Sequence, residues 1–98
     1  GPARRMIEVK ASGQLQPRFI MSANEWEVAR SAGSDYEIHF WGGVDLARPV
    51  AEEYRILREM GYPLVFKDIP SAVAHRTLDM TSLQYLFVAQ TGPSGSDA

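Results

Sequence analysis

Apolar and polar positions change period several times along the chain, and each change marks a predicted element. Residues 5–11 (Arg-Met-Ile-Glu-Val-Lys-Ala) alternate, which predicts a first strand with Glu8 and Lys10 on one face and Ile7 and Val9 on the other. Ser12-Gly13-Gln14 reads as a turn, with Gly13 free to take positive φ, and residues 17–21 read as a second strand. These two strands are expected to form a hairpin. Ser22-Ala-Asn-Glu25 is a capping box that opens a helix running to about Ala32, with Trp26, Ala29 and Ala32 at helical spacing and Gly33 as its stop. Residues 35–41 alternate again, Tyr36, Ile38 and Phe40 facing one side and Glu37, His39 and Trp41 the other, until Gly42-Gly43 ends the run.

A second helix follows, with Pro49 near its first turn, Val50, Tyr54, Leu57 and Met60 as its apolar stripe and Gly61 as its stop. A strand begins at 64–66, Ile69-Pro70 starts a loop, Ser71 caps a short helix over 72–76, and the apolar run at 83–89 reads as a last, buried strand. The order β-β-α-β-α-β-(α)-β predicts an α/β (α+β) domain, a mixed sheet with flanking helices.

Composition narrows the class. Ninety-eight residues make one domain, here expected over 4–90. No run approaches the roughly 20 apolar residues of a membrane span, so no membrane partner is expected. The chain has no cysteine, which excludes a disulfide framework and a thiolate metal site and fits a reducing, cytoplasmic setting. Its histidines, His39 and His75, are too few for a zinc centre. Residues 1–34 carry five basic and three acidic groups, residues 35–98 five and nine. A dedicated nucleic-acid binder would be more basic, but the basic surplus lies in the half that carries Glu8 and Lys10. Gly1-Pro2 resembles a protease-cleavage scar, so 1–3 are set aside, and 91–98 form a polar, flexible C-terminal tail. The chain is therefore expected to be the last domain of a longer protein, with an upstream domain as its neighbour.

Glu8-Val9-Lys10 places a carboxylate and an ammonium side by side, half of a metal-dependent phosphodiesterase site; the other half needs a second carboxylate. An ordinary solvated strand shows the same alternation, and such a surface pair is worth only about 0–1 kcal/mol, so stability does not demand it. Glu25 is a helix cap first and a supporting acid second. Arg4, Arg5 and Arg18 are candidate phosphate contacts for nucleic acid. Trp26 suits core packing, and His39 suits a structural place or a general base. Trp41 is either covered by the second helix or marks a contact surface.

The segments Ile7-Glu-Val-Lys10, Phe19-Ile-Met-Ser-Ala-Asn-Glu25-Trp26-x-x-Ala29 and Ser34-Asp-Tyr36-Glu-Ile-His-Phe40 resemble a known family. It is the C-terminal domain family named after the plant protein NO VEIN, a domain of unknown function. The family is commonly found at the ends of larger bacterial proteins, including helicases and ATPases of defence and restriction systems. The resemblance covers about residues 5–41 and weakens after Gly42. The family is in turn similar to the PD-(D/E)xK nuclease superfamily, which implies a restriction-endonuclease-like half fold. On that resemblance Glu8 is a Mg²⁺ ligand, Lys10 the catalytic lysine that orients the attacking water, and DNA the partner. The superfamily pattern also has an Asp on the preceding strand, and this chain has no Asp before Asp35. The resemblance therefore implies a nuclease-like module of a larger DNA-processing or defence protein, inactive as this chain alone and completed by an upstream strand. The alternative is a non-catalytic protein-interaction or nucleic-acid-sensing domain. In either case the first strand is expected to leave an unpaired edge, a site for homodimer pairing.

Overall fold

The computed structural model describes residues 5–80 and 86–89. In chain order the elements are β1 (Met6–Ala11), β2 (Arg18–Ile20), α1 (Ala23–Ala32), a 3₁₀ turn (Gly33–Asp35), β3 (Tyr36–Trp41), α2 (Val50–Glu59), β4 (Leu64–Lys67), α3 (Ile69–Ala74), β5 (Leu78–Met80) and β6 (Leu86–Ala89). They form a mixed α/β architecture with two three-stranded sheets, ordered β1-β3-β4 and β2-β6-β5. β1 runs parallel to β3, with Met6 opposite Tyr36 and Ala11 opposite Trp41. β4 is antiparallel to β3, and the second sheet is antiparallel throughout. No described helix is long and apolar enough to cross a membrane.

The expected hairpin does not form. The segment after β1 bonds to the exit of β3 instead: the Ser12 amide donates to Trp41 O, Gly43 N to Gln14 O and Val44 N to Ser12 O, all within 3.0 Å. Gly13 accordingly stays out of the left-handed region. Pro17, which has no N–H, accepts from the Ala89 amide at 2.7 Å and leads β2 into the second sheet beside β6. The chain between β1 and β3 is thus a crossover containing α1, the connection a parallel pair requires.

Three further expectations are corrected. The third helix starts at Ile69, not 72: Asp68, in the left-handed region at φ 51°, is the cap, its side chain accepting from the Ser71 amide. Pro70 sits in the first turn, where a missing N–H costs nothing. Strand β5 was not expected, because a three-residue strand with Leu78 as its single buried position carries no periodic signal. The apolar stripe of α2 is not a buried seam: Leu57 is buried, but Val50, Tyr54 and Met60 are exposed. Glu53 is buried in their stead, accepting from the Asp45 amide at 2.6 Å and from Arg48 at 2.9 Å. Of the last predicted strand, 86–89 is seen; 83–85, like the tail at 91–98, lies outside the described residues.

The core lies between the sheets and is largely aromatic. Phe19, the buried centre of β2, stacks on Phe87 of β6 with centroids 5.5 Å apart and planes 10° apart. The same ring lies 5.9 Å from Phe66 and 6.4 Å from Phe40, so it joins one sheet to the other. Trp26 of α1 packs 5.5 Å from Phe87, the core role read for it. Burying each such ring is worth about 1.5–3 kcal/mol. Together they fix α1, and with it Glu25, over the face of β1.

Candidate functional site

β1 alternates as read, but its polarity is inverted. Ile7 and Val9 are 48% and 60% exposed, whereas Glu8 and Lys10 turn inward toward α1 and β3. Burying charge in place of available apolar side chains is unfavourable unless the charges are paired, and here they are. Lys10 Nζ donates to Glu25 Oε1 at 3.2 Å and lies 3.9 Å from Glu8 Oε2. The Lys10 side chain is only 19% exposed, between carboxylates that keep more contact with solvent. The second carboxylate beside Lys10 therefore comes from the first turn of α1.

Glu25 is held there by the capping box. The Ser22 hydroxyl accepts from the Glu25 amide at 3.0 Å, and the Ser22 amide donates to Glu25 Oε1 at 2.9 Å. Glu25 is thus the cap read for it, and its carboxylate lies beside Lys10. Burial pushes its pKa up, but the Ser22 amide and the Lys10 ammonium outweigh that and hold it below its ordinary value. Behind the carboxylates lies Tyr36, buried at the start of β3, its hydroxyl pushed up to about 12 by burial first and then by the charges of Glu8 and Glu25. Glu8, Asn24, Glu25 and Tyr36 line a concavity of about 260 Å³. Sequence reasoning missed Tyr36, since its place depends on the parallel pairing of β1 with β3.

The candidate phosphate contacts separate. Arg18, exposed on β2, shares with Lys10, Ser12 and Gln14 a cleft of about 550 Å³ between the two sheets. Arg5 lies on the opposite face of the first sheet and grips Glu37 with both Nε (2.8 Å) and Nη2 (3.1 Å). Arg4 lies outside the described residues. Glu37 is 4% exposed in its side chain and also meets His39 Nε2 at 2.9 Å and Lys67 Nζ at 3.8 Å. That places His39 in a structural network. Trp41, beside it, packs 5.8 Å from Tyr54, so α2 covers it in part.

The Arg5 and His39 hydrogen bonds hold the Glu37 carboxyl down at about 2. An unfolded glutamate titrates near 4.3, so the folded value is the lower one. This stabilisation is complete above the unfolded value and is lost as pH falls toward 2. Urea midpoints between about pH 5 and pH 2 are expected to fall less steeply in Glu37→Gln than in the parent. Parallel curves would show that Glu37 does not set the acid limb.

Residues 2–41 match the family model described as Protein NO VEIN, C-terminal. The match supports that family for the segment that carries β1, β2, α1 and β3 and all of Glu8, Lys10, Glu25 and Tyr36. No curated protein and no solved structure matches the chain.

Proposed function

We propose that this chain is a nuclease-like module of a larger DNA-processing or defence protein, with Glu8, Lys10 and Glu25 as its phosphodiester-handling residues. The observation that carries the reading is the Lys10 ammonium held 3.2 Å and 3.9 Å from two carboxylates on an inward-turned strand face. Lys10 is placed to donate to a phosphate oxygen or to orient a water for attack, and to meet the charge that develops there. Tyr36, with its hydroxyl protonated at neutral pH, backs the pair as a neutral wall.

Among the described residues no three His, Asp or Glu side chains group as a metal cage. Two carboxylates nevertheless suit Mg²⁺ by type and number, because that ion keeps several of its waters. Glu8 and Glu25 would hold it, and bound there it would supply Lewis acidity and a more acidic water. Lys10 already offsets one of the two negative charges, so a divalent ion competes with it. Weak Mg²⁺ binding and no cleavage by the 98-residue chain alone are the expected behaviour.

Mg²⁺- or Mn²⁺-dependent plasmid cleavage by the full-length protein tests the reading. Glu8→Gln and Lys10→Met are each expected to lower the rate by about 10²–10³-fold, the scale for losing one preorganised charge-stabilising group. Unchanged cleavage in both variants would remove these residues from the mechanism. A second reading, a non-catalytic interaction domain, is favoured by one observation: Ile7, Val9 and Val65 are exposed apolar side chains on the other face of the sheet, where Val9 and Val65 flank His39. A full-length protein that cuts no nucleic acid, with intact Glu8 and Lys10, would support that reading instead.

A further inference from the structure

Among the described residues β1 is an edge strand. In the order β1-β3-β4 it has β3 as its one strand partner among the described residues, which leaves the outer row of its backbone N–H and C=O groups open to pairing. Its sequence is self-complementary in one antiparallel register. Directly opposed residues on neighbouring strands share a face, so a two-fold axis normal to the sheet must pass through a residue position to keep charged with charged and apolar with apolar. An axis at Glu8 sets Glu8 against its own copy, and an axis at Lys10 does the same for Lys10; both oppose like charges. An axis at Val9 sets Glu8 against Lys10 of the second copy, and the reverse, on the inner face. On the outer face it sets Val9 against Val9 and Ile7 against Ala11.

We infer that β1 pairs antiparallel with β1 of a second copy of this chain about an axis at Val9, joining the two β1-β3-β4 sheets into one of six strands. Glu8, Ile7 and Met6 of the incoming strand lie opposite Lys10, Ala11 and Ser12, which border the cleft of about 550 Å³ whose far wall is Arg18, Ile20 and Leu86 of the same copy. Lys10 thereby gains a third carboxylate, Glu8 of the second copy, beyond the Glu8 and Glu25 it already meets. The pairing gives the face that Glu8 and Lys10 share a carboxylate that one copy does not provide. A short strand edge buries less than the roughly 1,000 Å² of a tight interface, so the dimer is weak and concentration-dependent.

Sedimentation equilibrium of the 98-residue chain, without metal or nucleic acid and up to about 1 mM, tests this independently of any cleavage. The parent chain is expected to show a reversible monomer–dimer equilibrium. Val9→Lys, at a side chain exposed in the monomer, sets two ammoniums together at the axis and is expected to weaken the dimer about tenfold or more. Glu8→Lys and Lys10→Glu each oppose like charges and are expected to weaken it likewise. An equimolar mixture of those two variants restores unlike pairs and is expected to dimerise better than either alone. A parent chain monomeric throughout, a dimer unmoved by Val9→Lys, or a mixture no tighter than its components would each overturn the inference. Circular dichroism on Val9→Lys separates loss of pairing from loss of fold.

Discussion

Phe87→Ala is expected to destabilise the protein by about 3–5 kcal/mol, the largest effect of any single truncation here. Phe87 is fully buried, stacks on Phe19 and packs against Trp26. Its removal leaves a cavity where β6, β2 and α1 meet, and those neighbours are large rings that cannot collapse into it cheaply. Total stabilities of domains this size are about 5–15 kcal/mol, so the variant would sit near its unfolding threshold. The consequence reaches the candidate site, because Trp26 and Glu25 are adjacent on α1. Urea denaturation measures the loss; a change below about 1 kcal/mol would show that the ring junction is not the keystone of the core.

Gly42→Ala is expected to cost about 1–3 kcal/mol by overpacking, with a fall in Tm of roughly 4–8 °C per kcal/mol. A Cβ at Gly42 would lie 2.6 Å from Tyr62 Oη, 2.9 Å from the Gln14 carbonyl oxygen and 2.9 Å from the Phe40 ring. None of these can withdraw easily. Tyr62 and Phe40 are buried, and the Gln14 carbonyl accepts from the Gly43 amide at 2.9 Å. Gly13→Ala is the control: its Cβ would meet only Val44 O, at an ordinary 3.6 Å. Thermal melts showing equal losses for the two variants would refute the packing argument.

The faces of the strands were legible in the sequence, and their partners were not. Alternation at 6–11 groups Glu8 with Lys10, and alternation at 36–41 groups Ile38 with Phe40, because period two follows from local geometry alone; only the register, Glu8 opposite Ile38 and Lys10 opposite Phe40, puts the two groups on one face. Alternation says nothing of which strand lies alongside. The hairpin expected from Ser12-Gly13-Gln14 failed for that reason, and with it went any view of Tyr36, which reaches the site only because β1 pairs with β3. The capping box at Ser22 was readable and formed, yet the step from cap to site neighbour needed the aromatic core that swings α1 over β1. Glu37 shows the same limit. It reads as a surface acid on a polar face, and only its distant partner Arg5, 32 residues away in sequence, explains why it is buried.

One oxygen of Glu25 answers both the amide of the residue that caps a helix and a cation on the neighbouring strand. A metal ion or a substrate that recruits that oxygen must therefore be shared with the Ser22 amide or must release it. Occupancy of the concavity beside Glu25 is in this way reported along the main chain, where the hydrogen exchange of a single amide would register what the side chains hold.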